Sequence, residues 1–201
     1  LETGRFQPEQ TIDTSPGWVH VAGKTIKDPR DYGILSLGGI IAKSSQVGIT
    51  RLAQDMSEDE LRGVFARFGL GVPTGVSFPG EAAGRLPGPA PWPTINRLTF
   101  AFGYGLSLTP LQLAQAYTVF ANGGAMARPT LLKVAEERAP PLTPVLSPDI
   151  AQAVATMLEG VVRLEGTALR AATDVLSIWM ARGTRSLNSI CRRVTLRSPI
   201  W

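Results

Sequence analysis

The chain has few of the residues that most often build catalytic or metal centres. Its 201 residues include one cysteine, Cys191, and one histidine, His20. A single cysteine excludes an internal disulfide and a thiolate cluster, and a single histidine excludes a zinc site with several imidazole ligands. We therefore predict no metal and no cofactor. No motif of an α/β-hydrolase, a P-loop or a dinucleotide-binding fold occurs, and His20 is interpreted as an ordinary exposed histidine.

Long apolar segments are also missing. No run approaches the roughly 18–20 apolar residues that a membrane-spanning helix needs. The N-terminal residues LETGRFQPEQ contain no apolar core of a signal peptide and do not begin with Met. We expect a piece of a longer protein.

Net charge is confined to one end of the chain. Residues 1–172 carry 15 Lys and Arg against 15 Asp and Glu, so the net charge of +4 arises within 173–201, where five arginines accompany one acid. Two tryptophans and the lone cysteine lie there too, without hydrophobic periodicity. Three interpretations of this segment are open: a domain edge, an Arg-rich tail that binds a partner, or an out-of-frame reading of the gene. Its composition favours the out-of-frame reading. Without regularly spaced aromatic residues it predicts no nucleic-acid binding.

Local patterns predict a hairpin followed by a largely helical chain. Residues 18–26 predict two short strands around Ala22-Gly23. Ser57 with Glu60 forms a capping box, and Thr109 before Pro110 is typical of a helix start. Predicted helices cover 34–43, 45–56, 57–68, 109–122 and 147–160, with a proline-rich loop at 71–93 and a strand at 130–134.

Two segments resemble a known family. They are Leu35 to Ala53, LSLGGIIAKSSQVGITRLA, and Thr99 to Ala114, TFAFGYGLSLTPLQLA. Both resemble the middle of the penicillin-binding transpeptidase domain of the bacterial division type, and match it better than they match serine β-lactamases. The resemblance covers nearly all of residues 1–172 and stops there. It implies a largely helical α+β fold, the central part of the fold shared with serine β-lactamases, with most of the sheet missing.

The family's chemistry uses three motifs, and this chain retains one clearly. S-x-x-K carries the serine nucleophile and its base, S-x-N adds a hydroxyl and an amide, and K-T-G binds the substrate carboxylate. No S-x-x-K and no K-[ST]-G occurs in the chain. The resemblance implies that the nucleophile lies upstream of residue 1. Gly183-Thr184 is at most a remnant of K-T-G, and a chance Gly-Thr is favoured.

The S-x-N position is assigned by resemblance to Ser44 and Gln46, within KSSQVG. Ser44 would relay a proton. Gln46 stands where Asn is usual and adds one methylene, which a site held to about half an ångström does not readily absorb. The alternative is that Ser44 and Ser45 only cap the second helix. The residues around them favour the S-x-N assignment.

The resemblance implies a peptidoglycan D,D-transpeptidase. Its serine would attack the D-Ala-D-Ala carbonyl of a stem peptide, β-lactams would trap the acyl-enzyme, and other division proteins would be partners. The family works on the periplasmic side of the bacterial inner membrane, through an anchor absent from this sequence. Because two motifs are missing, we expect this chain to be inactive. The alternative is a non-catalytic, truncated or scaffold segment of a division protein.

Overall fold

The computed structural model describes residues 1–89, 91–162 and 167. Within them, six α-helices are accompanied by three pairs of short antiparallel strands, which confirms a largely helical, partial α+β fold. The helices are α1 (Leu37–Lys43), α2 (Gln46–Gln54), α3 (Glu58–Arg67), α4 (Thr94–Phe100), α5 (Pro110–Ala121) and α6 (Pro148–Glu159). The strands are β1 (Thr11–Asp13), β2 (Trp18–Val21), β3 (Lys24–Lys27), β4 (Ile34–Ser36), β5 (Ala125–Met126) and β6 (Thr143–Pro144). No described helix combines the length and the hydropathy needed to cross a membrane.

The predicted hairpin is confirmed, and a second strand pair lies beside it. Strands β2 and β3 pair in register from Trp18 with Lys27 to Val21 with Lys24. The helix predicted to begin at residue 34 begins instead at Leu37, and residues 34–36 form the strand β4. Strand β4 pairs with β1, residue Ile34 lying opposite Asp13. This pairing joins segments about 20 residues apart, so no local sequence pattern predicts it.

Helix α3 begins as its capping box predicts. The Ser57 hydroxyl accepts from the Glu60 backbone N–H at 3.1 Å, and the Glu60 carboxylate accepts from the Ser57 N–H at 2.7 Å. The Arg5 guanidinium lies 2.8 Å from the same carboxylate. Hydrogen bonds from Arg5 and from the Ser57 backbone lower the pKa of Glu60 to about 2. This pair attaches the N-terminal segment to α3.

Helix α5 starts at Pro110 behind the Thr109 cap, as predicted, and α6 also follows its prediction. Gln112 is fully buried in α5. Its amide nitrogen donates to the Val72 carbonyl at 2.6 Å and to the Ala83 carbonyl at 2.8 Å. These bonds hold the loop that the prolines predict at 71–93 against α5, because Gln112 supplies donors to two loop carbonyls that have no helical partner.

The predicted strand at 130–134 was wrong. These residues form no strand, and Leu131 and Leu132 are 62% and 79% exposed. The short pair of β5 and β6 forms on either side of them. A strand is stable only when a neighbour completes its hydrogen bonds, and none of the described residues pairs with 130–134.

The buried core is built from side chains of α1, α2, α4, α5 and α6. Its most deeply buried apolar side chains, each at most 1% exposed, are Ile40, Val47, Ala53, Leu98, Phe100, Val119 and Ala151. The Phe65 and Phe100 rings pack with centroids 4.5 Å apart. The Arg97 guanidinium of α4 donates to the Ala53 carbonyl at 3.0 Å and also to the Met56 carbonyl, which supplies positive charge at the C-terminal end of α2.

The contact of α1 with α2 leaves no room for a side chain at Gly48. An added Cβ would lie 2.7 Å from Cγ1 of Ile40, a side chain that is 1% exposed. We expect Gly48→Ala to lower the free energy of unfolding by about 1–3 kcal/mol through overpacking. Urea unfolding followed by circular dichroism measures it.

Gly63→Ala is the matched control, since both glycines lie inside helices. An added Cβ at Gly63 would have nothing within 4 Å. Because alanine has a higher helix propensity than glycine, Gly63→Ala should raise the free energy of unfolding by about 0.5–1 kcal/mol. Shifts of the same sign in the two variants would contradict the packing described here.

Candidate active site

The turn between α1 and α2 places Ser44 at the protein surface in an uncommon backbone conformation. Ser44 ends α1 with φ 52° and ψ 42°, in the left-handed region. Its N–H donates to the Ile41 carbonyl at 3.1 Å, and the Ser45 N–H donates to the Ile40 carbonyl at 3.0 Å. A left-handed serine costs about 1 kcal/mol or more relative to glycine. The turn therefore retains a hydroxyl where glycine would be less strained.

Ser45 has a different role from its neighbour. It is 1% exposed, and its hydroxyl accepts from the Gly48 N–H at 2.9 Å, which caps α2. The same hydroxyl donates to Oδ2 of Asp28 at 2.6 Å. Oδ1 of Asp28 accepts from the Val47 N–H at 3.1 Å. Asp28 is 9% exposed, so this carboxylate clamps the first turn of α2 from inside the protein.

Gln46 is the first residue of α2, and its side chain is exposed between two anchored neighbours. It lines a groove with a volume of about 540 Å³. Phe102 and Tyr104 from the Gly-Tyr-Gly loop form another wall, their rings packed edge to face with centroids 5.6 Å apart. The second resembling segment thus lies at the same surface as the first.

A second hydroxyl lies beside Ser44. Oγ of Ser44 is 3.2 Å from Oγ1 of Thr167, and either oxygen can be the donor. The Thr167 N–H also donates to the Ala42 carbonyl at 3.1 Å, which holds it against the end of α1. The two hydroxyls form a short polar chain at the turn.

The structure shows different environments for the two neighbouring serines, which the sequence alone did not distinguish. Ser45 caps α2, whereas Ser44 is exposed and Gln46 opens toward the groove. Gly183 and Thr184, with the rest of 173–201, lie outside the described residues. His20 is an exposed residue of the hairpin, with its Nδ1 3.1 Å from the Thr25 hydroxyl.

Sequence reasoning missed Asp28 and Thr167. Asp28 lies 17 residues before Ser45, and no spacing rule links a carboxylate after a hairpin with a later helix cap. Thr167 stands 123 residues after Ser44. Both contacts come from tertiary packing, so the sequence carried no local signal for either.

The arrangement suits hydrogen bonding and proton relay more than attack on a substrate. A serine becomes a strong nucleophile only when a base takes its proton. Among the described residues, the hydrogen-bond partner of the Ser44 hydroxyl is another hydroxyl, on Thr167. The Gln46 amide is able to donate to a peptide carbonyl or accept from a peptide N–H.

Comparison with known proteins agrees with these observations. Residues 1–180 match the family described as the penicillin binding protein transpeptidase domain. This chain belongs to the penicillin-binding transpeptidase family, as the two resembling segments predicted.

Individual relatives give the same result. The chain is 35% identical to the peptidoglycan D,D-transpeptidase FtsI of Escherichia coli over 184 residues, covering 92% of this chain and 31% of that protein. It is 32% identical to a probable peptidoglycan D,D-transpeptidase, PbpC, of Pseudomonas aeruginosa, covering 81% of this chain and 28% of that protein. The transpeptidase domain of Burkholderia pseudomallei penicillin-binding protein 3 superposes with a TM-score of 0.82 at 38% identity, covering 87% and 53% of the two chains. The chain thus spans about a third of the length of these curated relatives.

The Asp28 clamp should control the stability of the α1–α2 turn. Asp28→Ala leaves the Ser45 hydroxyl and the Val47 N–H without their acceptor, and we expect the free energy of unfolding to fall by about 2–4 kcal/mol. Asp28→Asn keeps one acceptor and should cost less, about 1–2 kcal/mol. Urea unfolding measures both variants. Asp55→Asn, at an exposed aspartate, should stay within about 0.5 kcal/mol of the parent. Equal effects at residues 28 and 55 would disprove the clamp.

Proposed function

We propose that this chain is the S-x-N-bearing part of a peptidoglycan D,D-transpeptidase that cross-links stem peptides during septal cell-wall synthesis. In that reaction a serine hydroxyl loses its proton to a base and attacks the D-Ala-D-Ala carbonyl. The bond to the last D-alanine breaks, D-alanine leaves, and an acyl-serine ester remains. A neighbouring amine then takes the acyl group and releases the serine. Ser44 and Gln46 would act beside that serine.

The observation that carries this proposal is the geometry of Ser44. Its hydroxyl is exposed in a left-handed turn, although glycine would be less strained there. Strained, exposed polar residues occur most often at functional sites. Ser45, one residue later, satisfies the helix cap by itself, so the cap does not explain Ser44.

Each site residue has a role in this proposal. The Ser44 hydroxyl passes a proton between the reacting groups, and Thr167 orients that hydroxyl through their 3.2 Å contact. The Gln46 amide binds the peptide backbone of the substrate at the edge of the groove. Asp28 is a positioning residue, because it acts only through Ser45 and Val47.

A second candidate function is non-catalytic, as a truncated or scaffold segment of a division protein. The absence of S-x-x-K and K-[ST]-G from the 201 residues favours it. In either case we place the protein on the periplasmic side of the bacterial inner membrane. Peptidoglycan stem peptides, β-lactams and other division proteins are the partners that the proposal includes.

A segment graft tests the role of Ser44. Residues 35–53 of this chain replace the matching segment of the Burkholderia pseudomallei transpeptidase domain, and covalent labelling by a fluorescent penicillin is timed. We expect the graft to be labelled, and Ser44→Ala within it to slow labelling about 100-fold or more, because a proton relay and an electrostatic contact are lost.

Gln46→Asn in the same graft is the companion variant, and it should speed labelling by restoring the usual reach of the amide. Circular dichroism of each graft shows whether it has folded. A folded Ser44→Ala graft that is labelled as fast as its parent would refute the assignment and leave the scaffold function as the better one.

The 201-residue chain itself should form no acyl-enzyme. After incubation with a fluorescent penicillin and denaturation, we expect no label on the chain, because it has no S-x-x-K. The unmodified Burkholderia pseudomallei domain, treated in parallel, is the positive control. A label that survives denaturation and maps to a serine of this chain would overturn the prediction.

A further inference from the structure

The outer edge of strand β2 is open. Among the described residues β2 pairs with β3 alone, so the hairpin is a two-stranded ribbon with two free edges. In an antiparallel pair, alternate residues turn their N–H and C=O groups toward the partner strand, and the residues between them turn these groups outward. The register of β2 with β3 therefore decides which backbone groups point away from the hairpin.

A hydrogen bond at the base of the hairpin fixes this alternation. The Asp28 N–H donates to the Gly17 carbonyl at 2.9 Å, so these two residues form a hydrogen-bonded pair. Counted along the register from that pair, Trp18 and His20 belong to non-hydrogen-bonded pairs. Their N–H and C=O groups therefore point away from β3. In the described part of the chain none of these four groups has a backbone hydrogen-bond partner.

The two strands of the hairpin differ in charge. Strand β3 carries Lys24 and Lys27, both exposed, and lysines on an edge strand hinder its pairing with a further strand. Strand β2 has the sequence WVHV, without Lys, Arg, Asp, Glu or proline. Its Trp18 is 48% exposed, although aromatic residues are among those that pack best in strands. The outer edge of β2 therefore lacks the features that usually protect an open edge.

The side chains of β2 define what a further strand would contact. Trp18 and His20 are exposed on one face of the hairpin, whereas Val19 and Val21 are half-buried on the other. A residue opposite Val19 is favoured when it is apolar and β-branched, and a residue opposite Trp18 when it is aromatic or β-branched. An extended segment needs this edge only, whereas a second copy of the chain would also have to accommodate its helices.

We propose that β2 binds an extended segment of a partner protein, which adds to the hairpin as a third, antiparallel strand. Trp18 and His20 each donate one N–H to the segment and accept from it at one C=O. The segment carries an apolar β-branched residue opposite Val19. It has no proline at the two residues that pair with Trp18 and His20, because these residues must donate. In this kind of recognition the backbone supplies affinity and alternate side chains supply specificity.

Nuclear magnetic resonance titration of the ¹⁵N-labelled 201-residue chain tests the proposal. The probe is a blocked heptapeptide with Thr-Val-Thr at its centre and two serines on each side. The comparison peptide has proline in place of both threonines. We expect the probe to shift the amide signals of Trp18 and His20 and to slow their exchange with solvent. Its dissociation constant should be at least about tenfold lower than that of the proline peptide, which lacks both donors.

Two proline variants show which edge binds the probe. His20→Pro removes an outward N–H from β2, and Thr25→Pro removes one from β3, while the hydrogen bonds between the strands are kept. Both variants lose the same contact of His20 Nδ1 with the Thr25 hydroxyl at 3.1 Å, so they are matched. We expect His20→Pro to weaken binding about tenfold and Thr25→Pro to bind like the parent. If a variant fails to fold, the two peptides on the parent chain still decide.

Several results would overturn the proposal. Equal affinity for the two peptides, or no binding of the probe, would show that the edge of β2 does not recruit a strand. Shifts at Thr25 and Gln46 instead of Trp18 and His20 would place the peptide in the groove beside the candidate site. A dimer in analytical ultracentrifugation that His20→Pro abolishes would show that a second copy of the chain occupies β2.

Discussion

The candidate site depends on one buried carboxylate. Asp28 receives the Ser45 hydroxyl and the Val47 N–H, and so holds both residues that flank Gln46. A buried carboxylate is tolerated only where donors replace its lost water, and a helix N-terminus supplies them together with a favourable dipole. The hairpin that ends at Lys27 delivers Asp28 to this position. Hairpin, turn and helix are therefore coupled through a single side chain.

This coupling explains how Ser44 remains in a left-handed conformation. The turn is fixed on one side by the hydrogen bonds that end α1 and on the other by the Asp28 clamp. Ile40 packs against Gly48 so closely that the two helices have little freedom to separate. Surrounding contacts of this kind can hold a strained residue, since relaxing it would break several of them at once. The exposed hydroxyl is positioned by buried groups that no substrate would contact.

The sequence predicted the elements whose causes are local. The caps at Ser57 and Thr109 start α3 and α5 as expected, and the two-residue turn at Ala22-Gly23 joins β2 to β3. The sequence-based predictions failed where a structural element depends on residues distant in sequence. The strand β4 forms because β1 pairs with it, and residues 130–134 form none because the described chain offers no neighbour. The proposed site residues divide in the same way. Ser44 and Gln46 were predicted from a motif and stay predictions, whereas the contact of Asp28 with Ser45 and Val47 could be found only from the tertiary fold.

In the proposed S-x-N assignment Gln46 stands where Asn is usual, and the surrounding hydrogen bonds bear on the effect of the longer side chain. Because Asp28 fixes Ser45 and Val47, the backbone of residue 46 has little room to retreat and absorb an extra methylene. The amide must then lie about one C–C bond farther from the helix or adopt a folded rotamer, and displacements near 1 Å are known to slow catalysis about 100-fold. The groove in front of it is open, so the longer side chain has space to reach a bound peptide. Under the proposed function, the rigid turn would keep the Ser44 hydroxyl in place while the longer Gln46 side chain would shift the amide from the reacting groups toward the bound peptide.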